Sequence, residues 1–118
     1  VAVVRTSREV SRTAPVGIID AHAHIVPPAL LDRLSRGPAE GFAARRTDAG
    51  WVFTVPGAGD TRPVGPRMTE LAPRRDWLAA AGIDRQLLSP WLDLQYGPPD
   101  PAASRSWTDR LNDAMAAA

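Results

Sequence analysis

The stretch that most limits the fold is Gly17-Ile18-Ile19-Asp20-Ala21-His22-Ala23-His24-Ile25-Val26-Pro27-Pro28. Its residues up to Ile25 favour a strand, and the two consecutive prolines stop it. A second β-prone run, Arg85-Gln86-Leu87-Leu88-Ser89, ends at Pro90-Trp91. A helical segment lies just before that second run. Two strands separated in this way pair in parallel by a right-handed crossover, which places the chain in the α/β class. Side chains alternate faces along a strand, so Asp20, His22 and His24 fall on one side. Ile19, Ala21, Ala23 and Ile25 fall on the other. His22 and His24 are the only histidines of the chain. Two imidazoles at i and i+2 at a strand end can aim at one metal ion. The competing reading is an ordinary pair of strand histidines.

Around this strand the chain divides as follows. Residues 1–16 carry Arg5, Arg8 and Arg12 among Ser, Thr and Val without a sustained apolar period, and read as a flexible leader. Pro27-Pro28 open a helix whose apolar side is Leu30, Leu31 and Leu34, and Gly37-Pro38 end it. Residues 39–68 interrupt the pattern. An Ala-rich coil passes through Arg45-Arg46 to the β-prone Trp51-Val52-Phe53-Thr54-Val55, and Pro56-Gly57-Ala58-Gly59-Asp60 is a turn cluster. Thr61-Arg62-Pro63-Val64 reads as a returning edge strand, so an inserted hairpin is expected at about residues 50–66. Pro73 starts a helix to about Ala81 with Trp77, Leu78 and Ala81 buried, and Gly82 caps it. Asp100 is an N-cap ahead of Pro101, and Trp107, Leu111, Ala114 and Met115 mark the buried side of the last helix.

Composition excludes several functions. Fourteen basic residues, every one Arg, face thirteen acidic ones for a net charge of +1. That balance argues against an electrostatic nucleic-acid or membrane partner. Without Cys there are neither disulfides nor thiolate metal sites. No apolar run has transmembrane length, and Val1-Ala2-Val3-Val4 is too short for a secretory core, so a cytoplasmic protein is expected.

Asp20-Ala21-His22-Ala23-His24, followed by Ile25-Val26-Pro27-Pro28, resembles the first strand of the amidohydrolase superfamily. The continuation Pro27-Pro28-Ala29-Leu30-Leu31 is most similar to the branch that includes aminocarboxymuconate-semialdehyde decarboxylase. Trp77-Leu78-Ala79-Ala80-Ala81-Gly82-Ile83-Asp84-Arg85-Gln86-Leu87-Leu88-Ser89-Pro90 resembles that branch's helix and second strand, with Leu78-Ala79 where the family often has Met-Asp. The resemblance implies a (β/α)8 TIM barrel, which takes about 250 residues. Residues 17–118 would then be its first two βα units, with an inserted β-hairpin and the barrel incomplete. It implies His22 and His24 as ligands of a divalent metal, zinc. The remaining ligands, a His after the fifth strand and an Asp after the eighth, and a catalytic His after the sixth, would lie outside the chain. Zinc at a catalytic site brings the pKa of a coordinated water to about 7 and polarises carbonyl oxygen.

Other site residues carry two readings each. Asp20 either orients an imidazole from behind or is a plain Asp held by backbone or Arg. Arg62, in Arg62-Pro63-Val64, matches by resemblance an Arg that binds a substrate carboxylate through its planar fork; the alternative is a solvated Arg. Trp91 either walls a substrate pocket or belongs to the core or barrel rim. The function implied is a metal-dependent carboxy-lyase or hydrolase acting on a small carboxylated substrate, in a parent that is a homodimer in the oligomeric reading. A non-catalytic association module is the alternative. In either case the 118-residue segment by itself is expected to be marginally folded and inactive.

Overall fold

The computed structural model describes residues 1–5 and 17–118. The chain is mixed α/β. In order it forms β1 (Ala2–Arg5), β2 (Ile18–Ile25), α1 (Pro28–Ser35), β3 (Ala43–Thr47), β4 (Gly50–Val55), β5 (Gly59–Asp60), α2 (Pro66–Thr69), α3 (Leu71–Ala80), β6 (Ile83–Pro90) and α4 (Pro101–Ala116). One sheet has the order β1-β6-β2, the other β3-β4-β5. β2 and β6 are parallel neighbours, as their sequence pattern predicts.

Two corrections concern strands. The expected leader contains β1, which pairs antiparallel with β6 from Ala2 opposite Leu88 to Arg5 opposite Arg85. Its short Ala-Val-Val run suits a pleated surface, and the edge of β6 supplies the unpaired backbone groups it needs. The rest of the expected leader lies outside the described residues. The expected hairpin is a three-stranded antiparallel meander that starts earlier, at Ala43, with Thr47 opposite Gly50 across the turn. Arg45-Arg46 hides this strand from an apolar-alternation reading because its side chains stay largely in solvent. Thr61–Val64 is not a returning strand. Pro63 lacks an N–H, and the segment touches β4 only at its ends, where the Thr61 amide donates to the Phe53 carbonyl at 2.8 Å and Val64 bridges to Trp51 through bonds of 2.8 and 3.0 Å. Gly50 takes φ 129° and faces the Val64 carbonyl so closely that a Cβ would collide with it.

Helices follow their apolar stripes with one exception. α1 buries Leu30, Leu31 and Leu34. α4 buries Trp107, Leu111, Ala114 and Met115, and the Asp100 carboxylate accepts the Ala103 amide at 2.8 Å as its N-cap. α3 starts at Leu71 rather than Pro73 and turns Arg74 and Leu78 inward, while Trp77 stays 40% exposed. The sheet face beneath α3 carries the polar Gln86, which draws in a guanidinium rather than an indole.

The core has two parts. One lies between the meander, α1 and α4, where Trp107 stacks on Phe42 at 3.7 Å and donates its Nε1–H to the Leu94 carbonyl at 2.7 Å. The other joins Val4, Ile25 and Leu88 of the first sheet to Leu78 and Met115. Among the described residues no helix is long and apolar enough to cross a membrane.

Glu40 ties the first part together. It adopts the left-handed φ of 48°, which is uncommon for a residue with a Cβ. From there its carboxylate accepts from Arg110 at 3.0 and 3.1 Å and from Ser106 at 2.8 Å. The Arg110 guanidinium, and then the Ser106 hydroxyl, hold the Glu40 carboxyl below the ordinary glutamate value of 4.5. A carboxyl depressed in the folded state stabilises the fold above its ordinary pKa and loses that contribution as pH falls through the folded value. Glu40→Gln should therefore flatten the acid arm. Urea midpoints at about pH 7 and pH 3.5 should differ less in Glu40→Gln than in wild type, and equal pH dependence would remove Glu40 from the acid response.

Candidate metal-binding pair at the end of strand β2

The ends of β2 and β6 lie side by side, with His24 opposite Ser89 and Ile25 opposite Pro90. The Trp91 amide closes the ladder onto the Ile25 carbonyl at 2.8 Å. Here the imidazoles converge. Nε2 of His22 lies 3.2 Å from Nε2 of His24, and the rings stand at 90° with centroids 5.1 Å apart.

His24 is oriented from its other nitrogen. Its Nδ1 is 3.2 Å from the Pro90 carbonyl oxygen and 2.8 Å from Ser89 Oγ. A carbonyl only accepts, so Nδ1 carries the proton and Nε2 presents its lone pair. The Ser89 hydroxyl is then free to donate to the Ala23 carbonyl, 3.4 Å away. Pro90 ends the strand, and the same carbonyl also accepts from Gln95 Nε2 at 2.6 Å.

The pair fits a metal ion. Two nitrogens at about 2.0–2.1 Å from one tetrahedral ion stand roughly 3.3 Å apart, close to the separation of the two Nε2 atoms. Imidazole is a ligand of divalent zinc, and a carbonyl behind the ligating ring is its common support. Among the described residues no group of three His, Cys, Asp or Glu side chains is placed to hold an ion, so the pair stands as two donors.

Asp20 does not share their face. The register slips between Asp20 and Ala23, where β2 uses three steps against two in β6. This bulge returns Asp20 to the side of Gln86, whereas His24 pairs with Ser89 on the opposite side. The Asp20 carboxylate accepts the Gln86 side-chain amide at 2.6 Å and the backbone N–H of His22 at 3.1 Å. These two bonds, the Gln86 one foremost, hold its pKa below the ordinary aspartate value. The Asp20 carboxylate is thus held by the Gln86 side chain, and it meets His22 at the backbone N–H rather than at the ring.

The other expected residues lie elsewhere. Trp91 is buried in the core, its ring edge-on to Phe53 at 5.6 Å, and lines neither cavity at the imidazoles. The strand end at Pro90 turns its side chain under the meander. Arg62 is exposed beside the meander and lines neither cavity at the imidazoles. His22 borders both of those cavities. One, about 390 Å³, also includes Asp20, Arg67, Arg74 and Trp77. The other, about 220 Å³, includes His24, Leu87 and Ser89. A larger groove of about 530 Å³ runs between α1 and α4, but it holds no imidazole, and its charged lining residues Arg33, Arg110, Asp109 and Asp113 form no convergent donor set. Chemistry therefore favours the smaller cavities at the strand end.

Sequence reasoning missed Ser89, Gln86 and Arg74. Ser89 was readable as the partner of His24 once the two strands are set parallel and ended by their prolines. Gln86 carries a weaker signal, a polar residue two positions from Leu88 on what must be the covered face. No family model, curated protein or solved structure matches this chain.

The hydrogen-bond pattern predicts a specific pair of tautomers. With imidazoles neutral, at about pH 8, His24 should carry its proton on Nδ1 and His22 on Nε2. Long-range ¹⁵N–¹H correlation spectra of the rings distinguish the two forms. Ser89→Ala should leave the His24 tautomer unchanged, because the Pro90 carbonyl still faces Nδ1 and can only accept; a switch to Nε2–H would refute the assignment.

Proposed function

We propose that this chain is the N-terminal section of a metal-dependent, amidohydrolase-related (β/α)8 enzyme, a carboxy-lyase or hydrolase for a small carboxylated substrate. In this reading β2 and β6 are the first two barrel strands and the meander is an insertion between them. The observation that carries it is the convergence of His22 and His24 through nitrogens 3.2 Å apart, with His24 fixed in the ligating tautomer by Pro90 and Ser89. The parallel pairing of β2 with β6 supports the barrel order.

A divalent ion, zinc by its ligand chemistry, would supply Lewis acidity toward a substrate oxygen. This chain's part is to hold and orient it: His24 would donate its Nε2 lone pair, His22 would do so with its proton shifted to Nδ1, and the Pro90 carbonyl increases the basicity of the His24 ring. Arg62 is the proposed carboxylate clamp, its guanidinium giving a bidentate fork at the edge of the insertion. The remaining ligands and the group that moves protons belong to parts of the barrel beyond these two units, so residues 1–118 alone are expected to be inactive.

A second reading, an association module, is favoured by the uncovered face of the first sheet. Val3, Ile19 and Leu87 are 51%, 44% and 37% exposed. In a barrel such a face belongs to the interior.

Zinc titration separates the readings. The wild-type chain should bind zinc, and the His22→Ala/His24→Ala variant should lose most of that binding. Ile19→Arg/Leu87→Arg should shift sedimentation toward monomer while keeping zinc affinity. Equal zinc uptake by wild type and the double-alanine variant would remove the metal assignment and leave association as the reading.

A further inference from the structure

His22 sits within the bulge between Asp20 and Ala23, so whatever secures the bulge bears on the metal pair. A bulge removes residues from the regular ladder and leaves polar backbone groups to be satisfied by other means. Here the His22 N–H is taken by Oδ1 of Asp20 at 3.1 Å. Oδ2 of the same carboxylate accepts Nε2 of Gln86 at 2.6 Å, and Oε1 of Gln86 accepts Nε of Arg74 at 2.7 Å. The order fixes the glutamine amide. Reversed, it would set its NH₂ against a guanidinium and its oxygen against a carboxylate. Gln86 and Arg74 are only 2% and 5% exposed, so water does not compete for the bond between them, while the Asp20–His22 link lies at the surface. A second Arg74 nitrogen, Nη1, donates to the Arg67 carbonyl and ties the guanidinium to α2.

We propose that Arg74 and Gln86 are positioning residues for the metal pair: through Asp20 they hold the backbone at His22 so that its Nε2 meets that of His24. This rests on the metal reading above, but its central link, from α3 to the His22 amide, is measurable without metal. A cation buried with only neutral direct acceptors is otherwise unfavourable, and the carboxylate one amide away balances it. The network therefore links helix, sheet and bulge as one unit.

The experiment uses the 118-residue chain and two readouts, residue-resolved amide exchange by NMR and zinc affinity by calorimetric titration. Gln86→Leu removes the link. Because it strands Arg74, Arg74→Met/Gln86→Leu is measured alongside; removing both polar partners keeps the buried volume and avoids an unpaired cation. In at least the double variant, the His22 amide should exchange about tenfold faster relative to the Trp91 and Val64 amides. Zinc affinity should fall on the order of tenfold, as for other supports behind a ligand. A purely structural network would accelerate all three amides alike, and that result overturns the proposal. Selective exchange at His22 with unchanged zinc affinity also overturns it. His24→Ala is the control for the metal reading. If it binds zinc as wild type does, the pair is not a metal site, and selective exchange together with a changed His22–His24 ring contact still decides whether the network aims His22.

Discussion

The parallel pairing of residues 18–25 with residues 83–90 is the constraint on which the rest depends. Side-chain bonds reach across it over 66 residues, from Gln86 to Asp20 and from the His24 ring to the Pro90 carbonyl. A parallel pair cannot be closed by a tight turn, so the chain must leave the end of β2 and return to the start of β6. Everything from α1 to α3 is that crossover, with the meander lodged inside it. The detour gives the molecule its two-part core, because the meander needs its own cover. α4 provides it: Trp107, Leu111 and Ala114 face the meander and α1, and Met115, one residue on, reaches the first sheet.

Register then determines chemistry. Since His24 stands opposite Ser89 and Ile25 opposite Pro90, the last carbonyl of β6 lies within reach of the His24 ring. Proline contributes twice: it cannot donate to a further rung, and its carbonyl accepts from both His24 and Gln95. A slip of one residue would exchange Ser89 for a neighbour facing the opposite side and leave Nδ1 without its hydroxyl partner. The imidazole pair is thus a product of sheet geometry as much as of the His-Ala-His spacing.

What could be read from the sequence follows from whether the signal is local. Both parallel strands are bounded by prolines, and α1 and α4 carry their apolar stripes within one helix, so these elements were legible. β1 was not, because Ala2-Val3-Val4 is too short to announce a strand and becomes one only beside β6. β3 was not, because its Arg45-Arg46 pair faces outward and removes the alternation. The two tryptophans show the same limit. Trp77 was expected inside and is exposed, because the sheet beneath α3 offers Gln86, a partner for Arg74 rather than for an indole. Trp91 carries a pocket reading and a core reading, and its ring is buried against the meander's Phe53, a partner no local pattern announces. Period alone put Asp20 beside the histidines, and a single bulge moved it to the other face while making it the acceptor for the His22 amide.

Strand β1 sets a condition on the barrel reading. β6 already has both edges paired, to β2 on one side and to β1 on the other. A barrel built in sequence order would pair its third strand with β6 on the edge that β1 occupies, and in parallel rather than antiparallel sense. One set of N–H and C=O groups cannot serve both strands. Four residues with two valines are a weak competitor for a full-length parallel strand backed by its own helix, since a short edge strand contributes few rungs and little apolar burial. In this structure β1 therefore protects an edge of β6 that would otherwise be open, and in the proposed barrel the same four residues would have to give it up. The burial of Val4 against Leu88 and Leu78 belongs to the first arrangement only, whereas the Nε2 convergence rests on β2 and β6, the two strands that both arrangements share.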